Sequence, residues 1–200
     1  MSISTDLIKE LRLSTGAGVL ACRKALEQSE GDLEKAAALL REQGLTKASK
    51  RADRETHDGV LDLYSHGDGR VGVMVEVNCE TDFVARTPEF REFAHEMALQ
   101  IAATAPNWVD MDDVPKEIAE EESKKAREEA LAQSKPEHVI DRIVEGRMRK
   151  FYEESCLLKQ IYIRDDSKTV ADLLNDTIAK TGENITIRRF VRWEVGEIAE

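Results

Sequence analysis

Between Arg70 and Arg86 the chain reads RVGVMVEVNCETDFVAR, with Val71, Val73, Val75 and Val77 alternating with Gly72, Met74, Glu76 and Asn78. A period of two over this length specifies a strand with one face buried. The run ends in Asn78-Cys79-Glu80-Thr81-Asp82, mostly residue types that favour turns and caps over strand continuation. Thr87-Pro88-Glu89 then supplies an N-cap and first-turn pair for a helix bearing Phe90, Phe93, Ala94, Met97 and Ile101. Asp82 and Phe83 are thereby confined to a short connection between two rigid elements, a platform suited to a functional tip. Pattern alone leaves two readings open. A Phe after a strand packs into a core more often than it projects, and Asp82 could equally serve as a turn or capping residue.

Residues 1–45 read as three short helices. Ile3, Leu7, Ile8 and Leu11 share a face in the first, Val19, Cys22, Ala25 and Leu26 in the second, and Leu33, Ala36, Ala37 and Leu40 in the third. Thr15-Gly16-Ala17-Gly18 and Glu30-Gly31-Asp32 separate them, and Gly44 is placed to stop the third. The Gly16-Ala17-Gly18 run lacks the further glycine, lysine and preceding strand of a phosphate-binding loop, so it reads as a helix-breaking turn. A module of this size matches the ubiquitin-associated type of fold, which usually binds proteins. Lys47, Lys50, Arg51 and Arg54 fall in a polar linker over 46–57, a solvated run whose basic face could meet an acidic partner.

From Asp58 the pattern changes. Gly59 to His66 reads as a strand, and Gly67-Asp68-Gly69 as a hairpin turn into the valine strand. Pro115 opens an acidic helix over 115–131, with few apolar anchors and therefore expected to be exposed and mobile. On it Glu120/Lys124 stabilises and Glu117/Glu121 opposes. Pro136 opens the next helix, with Val139, Ile140, Ile143, Val144 and Met148 on one face and apolar content continuing to about Gln160. Val170, Leu173, Leu174 and Ile178 mark another helix ended by Gly182, and residues 184–195 a last strand. The expected fold class is α+β: a three-helix ubiquitin-associated-like module over 1–45, the linker, and a core over 58–200. That core holds a small antiparallel sheet and helices, with an acidic helical insertion near 110–135.

Charge narrows the function. The net charge is −11, and the excess of acid lies beyond residue 54. Such a body is a poor nucleic-acid surface, because phosphate neutralisation needs clustered cations. With 41% hydrophobic and 34% charged residues, no long apolar run and no signal-like start at Met1-Ser2-Ile3-Ser4, the expectation is a soluble cytoplasmic chain without a membrane span. Cys22, Cys79 and Cys156 lack CxxC spacing and read as reduced thiols. An enzyme would draw on Glu76, Glu80 and Asp82 as a carboxylate cluster, or on His57, His66, His95 or His138 as bases. No HxxE, ExxH or DxD companion accompanies those carboxylates, and no Ser or Cys sits in an elbow motif. No catalytic residue, metal or cofactor is therefore expected. A plain adaptor accounts for the composition as well as any other binding protein.

Three stretches resolve this by resemblance. NCETDFVAR (78–86), LRLSTGAGVLACRKAL (11–26, followed by Gly31-Asp32, Ala36 and Leu40-Arg41) and FYEESCLLKQIYIRDDSKTVADLL (151–174, with RFVRWEVGE after it) resemble the bacterial elongation factor Ts family. The resemblance implies a guanine-nucleotide exchange factor in translation elongation, not itself an enzyme, acting on the GTPase elongation factor Tu. It implies that Thr81, Asp82, Phe83 and Val84 dislocate Mg²⁺ from the GTPase. It implies partner contacts at Leu11, Arg12, Thr15, Gly16, Ala17, Gly18, Cys22, Asn78 and Arg86. Where the family usually has two methionines and an aspartate, this chain has Val19, Leu20 and Ala21, so no contact is carried to Ala21. One core copy without a long coiled-coil insertion resembles the family's short form, in which two chains pair, and a homodimer is implied.

Overall fold

The computed structural model describes residues 3–132 and 136–197, without the side chains of 45, 47, 49 and 138; Met1, Ser2 and the side chains of Lys47 and His138, drawn on above, lie outside what is described. In chain order the elements are α1 (Thr5–Thr15), α2 (Val19–Gln28), α3 (Leu33–Ser49), β1 (Asp58–His66), β2 (Val71–Cys79), α4 (Asp82–Ala85) and α5 (Pro88–Thr104). There follow α6 (Lys116–Ala132), α7 (Glu137–Ser155), β3 (Ile161–Tyr162), β4 (Asp165–Thr169), α8 (Val170–Thr181) and β5 (Ile185–Glu194). β1, β2 and β5 form a three-stranded antiparallel sheet in the order β1-β2-β5, and β3 pairs antiparallel with β4. The fold is α+β, as the patterning implied.

By contacts the chain forms two compact units. The first comprises Met1–Val60, Val77–Phe93 and Leu174–Thr186. Its helical part starts where Ser4 Oγ accepts the Leu7 N–H at 3.2 Å, and α3 starts where an Asp32 carboxylate oxygen accepts from Lys35 N at 3.0 Å. That Lys35 N–H also holds the Asp32 carboxyl below its ordinary value. Gly16 ends α1 at φ 68°, a left-handed position where a side chain would be strained. Leu11, Cys22, Ala25, Leu26 and Ala36 form the helical core, with Leu7, Ile8, Leu33 and Leu40 packed against it.

Two expectations fail in this unit. Gly44 does not stop α3, which runs on to Ser49; a Cβ there would lie 3.3 Å from the Ala179 Cβ, so the glycine serves close packing against α8. Val19, expected in the core, is half exposed: it is the first residue of α2, and the buried seam of that helix begins at Cys22.

The second unit comprises Leu61–Glu76, Ala94–Leu173 and Ile187–Glu200. Here α6 and α7 form a hairpin whose core is Ala126, Ala130, Ile140 and Val144. The acidic helix is thus packed along one side, and its few large apolar residues reflect a seam built from alanines. Within α6 ion pairs join Lys125 to Glu121 and Glu122, and Lys124 to Glu128 in place of the expected Glu120, while Arg127 and Glu129 reach Asp141 and Arg147 of α7. Buried Gln100 donates to Ile161 O at 3.1 Å and accepts from Ile163 N at 2.9 Å, fixing the start of the β3–β4 hairpin. Polar Asp165–Thr169 gave no alternation by which to foresee that hairpin.

Candidate functional site

The valine strand delivers the tip. Val71, Val73, Val75 and Val77 are all buried, so β2 has one face in the core and a fixed register. Asn78 and Cys79 continue the burial, and Asn78 Nδ2 donates to Asp58 O at 3.3 Å. Gly59 makes room for this crossing: a Cβ there would lie 2.2 Å from Val77 O.

Beyond Cys79 the chain makes a single helical turn, α4, where the sequence pattern implies only a short connection. Thr81 is its N-cap, with Oγ1 accepting the Val84 N–H at 3.4 Å. Asp82 occupies the first turn and pairs with Arg86 at 2.9 Å. Ala85 is buried and anchors the turn from below. Phe83 is 78% exposed. The ring therefore projects from the turn and is not part of the core. Downstream, Thr87 Oγ1 donates to Val84 O at 2.8 Å and accepts from Phe90 N at 3.3 Å, joining α4 to α5.

The turn is also held from a distance. Both carboxylate oxygens of Glu183 accept from Thr81, its N–H at 3.0 Å and its hydroxyl at 2.7 Å. Glu80 Oε1 accepts from Asn184 N at 2.6 Å and from Arg54 Nη1 at 3.3 Å. Cys79 Sγ donates to Thr81 O at 3.2 Å. Burial, and secondarily the nearby Glu183 carboxylate, pushes the Cys79 thiol up to about 11, so it stays protonated and remains a donor. No sequence signal joined Glu183 to Thr81.

In the helical module the implied contact residues divide by burial. Arg12, Gly16 and Gly18 are exposed, and Thr15 and Ala17 half-buried. Leu11 and Cys22 lie fully in the module core, where Cys22 Sγ donates to Ala17 O at 3.5 Å. Leu13 and Leu20, at 87% and 75% exposed, are large apolar surface residues that helical periodicity did not single out.

The carboxylates considered for catalysis do not converge. Glu76 pairs with Arg189 at 2.7 Å, Glu80 is held by Asn184 and Arg54, and Asp82 by Arg86. His57, His66 and His95 face Glu55, Tyr64 and Asp62 respectively. Among the described residues no group of three or more His, Cys, Asp or Glu side chains could hold a metal ion.

An α+β scaffold that presents a helical module and a capped turn with a projecting aromatic has the build of a protein-binding factor. A family model for elongation factor TS matches residues 23–197. The chain is 56% identical over 195 residues to an elongation factor Ts of Thermoanaerobacter sp. (strain X514), covering 98% of this chain and 96% of that one. It is 57% identical to that of Caldanaerobacter subterraneus subsp. tengcongensis, with 98% of each chain covered, and 56% identical to that of Thermotoga neapolitana, with 98% and 99% covered. The chain belongs to the elongation factor Ts family. Its role follows from that membership: nucleotide exchange in translation elongation.

Proposed function

We propose that this chain binds elongation factor Tu in its GDP-bound form, displaces Mg²⁺ and promotes GDP release so that GTP can rebind. The observation that carries this reading is Phe83, exposed on a turn that is itself anchored on both sides. Nucleotide and Mg²⁺ in such a GTPase are held together by a phosphate loop and switch elements. A factor that binds the nucleotide-free form more tightly weakens nucleotide binding by the same factor, because the coupling is reciprocal. Speeding release by orders of magnitude requires several kcal/mol of differential contact. An aromatic wedge at Phe83, with Asp82 disturbing the surroundings of the metal, supplies part of it, and Thr81 and Val84 set the wedge's backbone. Arg12, Thr15–Gly18 and the neighbouring Leu13 and Leu20 supply a second contact on the same GTPase, with Asn78 and Arg86 flanking the tip. The chain itself performs no covalent chemistry in this scheme, and its place of work is the cytoplasm.

The test is release of a fluorescent GDP from purified elongation factor Tu. Wild type accelerates release, and Phe83→Ala loses most of the acceleration while remaining folded. A wild-type chain that leaves the release rate unchanged removes the reading.

A homodimer is the second part of the proposal. In the second unit Leu61 and Leu63 of β1, Met74 of β2, and Trp193 and Val195 at the end of β5 are all exposed. Exposed apolar side chains on three strands of one sheet, or just past the end of one, favour a partner of the same kind. Light scattering at micromolar concentration is expected to give twice the chain mass; monomer with full exchange activity refutes it.

A further inference from the structure

We propose that Glu183 is a positioning residue for exchange: it sets the direction of Phe83 by locking the cap of α4, 102 residues earlier in the chain. The inference rests on the reading of Phe83 as the exchange wedge.

A helix of four residues does not hold itself, since one turn fixes several dihedrals for a single hydrogen bond. The orientation of α4, and with it of Phe83, is therefore imposed by what grips its ends. At the N-terminal end that grip is Thr81. A free threonine hydroxyl rotates and caps only part of the time. Here its proton is committed to Glu183 Oε1 at 2.7 Å, which leaves an oxygen lone pair facing the Val84 N–H at 3.4 Å. The other carboxylate oxygen takes the Thr81 N–H at 3.0 Å, so the residue is held at two points by charge-assisted bonds.

The grip is reciprocal. Glu183 takes the donors of Thr81, while the preceding Glu80 takes the N–H of the following Asn184 at 2.6 Å. Asn184 Nδ2 in turn donates to Arg54 O at 2.8 Å and Ala52 O at 3.3 Å, and Arg54 reaches back to Glu80. Gly182, at φ 80°, ends α8 and lets the two residues step into this position. Two adjacent residues after α8 thus clasp two adjacent residues before α4. Glu183 acts on the wedge only through Thr81.

Two measurements on the full chain test this. The first is residue-resolved amide hydrogen exchange. Glu183→Ala is expected to speed exchange at Thr81 and Val84 by about tenfold or more while leaving the α5 amides of Phe93 and Met97 unchanged. Glu183→Gln, whose amide oxygen still accepts one Thr81 donor, gives an intermediate effect and serves as the folded variant should the alanine variant fail to fold. Thr81→Val, which removes the hydroxyl at nearly constant shape, exposes Val84 and leaves Glu183 holding the residue only by the backbone N–H.

The second measurement is stimulated GDP release from elongation factor Tu in a double-mutant cycle with Phe83→Ala. Glu183→Ala is expected to lower the maximal release rate about tenfold with little change in the half-saturating concentration, and to lower it no further once Phe83 is already Ala. A residue with only a structural role would subtract the same factor in both backgrounds. Equal losses in both backgrounds, or unchanged Thr81 and Val84 exchange in both Glu183 variants, overturn the proposal. If Phe83→Ala alone leaves release unaffected, the wedge reading fails and with it the role in exchange, and the amide data still decide whether the clasp holds the turn.

Discussion

Replacing Phe83 and Phe90 by alanine, one at a time, separates exposure from burial within a single short stretch. Phe90 is fully buried, and truncating a buried Phe costs about 3–5 kcal/mol through lost transfer energy and the cavity left behind. Phe83 is 78% exposed, so only about a fifth of that payload is at stake and the cost should stay below ~1 kcal/mol. The higher helix propensity of alanine offsets a few tenths of it. For a chain of 200 residues each kcal/mol moves the melting temperature by about 2–4 °C. Phe83→Ala should therefore melt within about 3 °C of wild type, and Phe90→Ala at least about 6 °C lower. Circular dichroism melts of the three proteins in one buffer, backed by urea midpoints, give the comparison. A Phe83→Ala protein that melts as low as Phe90→Ala would show that the ring is buried in solution, and the wedge would have to be abandoned.

Asp82→Ala should barely change stability, because its pairing with Arg86 is a surface contact worth under about 1 kcal/mol. It should reduce stimulated GDP release in Mg²⁺, and the deficit should shrink when the metal is chelated; an undiminished deficit argues against a role at the metal. Gly59→Ala would place a Cβ 2.2 Å from Val77 O and should cost about 1–3 kcal/mol or more in denaturant titrations, whereas Gly72→Ala meets nothing within 4 Å and should be close to neutral. For Cys79 the folded thiol titrates near 11 against an ordinary 9.0, so the stability linked to the neutral form is complete below pH 9.0 and is lost as pH rises to about 11. That loss is on the order of 2–3 kcal/mol. The stability advantage of wild type over Cys79→Ala should shrink across that window, and a constant difference would refute the burial argument.

The elements legible in the sequence were those whose signal is local. Val71 to Val77 alternate because one face of β2 is buried, and all four valines are. Gly16 and Thr87-Pro88 mark helix ends through backbone geometry that neighbours cannot easily override. What escaped depends on contacts far along the chain. Gly44 resembles a helix stop until Ala179 is seen beside it. The α6 helix looks unanchored because Ala126 and Ala130 carry little hydrophobic signal, although they allow close approach to α7. The tip motif was recognisable by resemblance, but the direction of Phe83 follows from the cap at Thr81 and the clasp by Glu183, which no spacing rule connects.

The separation of those two partners bears on synthesis. A chain emerging from its N-terminus completes β2 and α4 long before residue 183 exists, and 102 residues take about 5–20 seconds to translate. During that interval β2 lacks its β5 neighbour, and Thr81 has no carboxylate to hold it. A nascent or prematurely terminated chain therefore carries the tip sequence without a directed tip. On the proposed reading of Phe83 as the exchange wedge, abortive products should not compete with the finished protein through this turn.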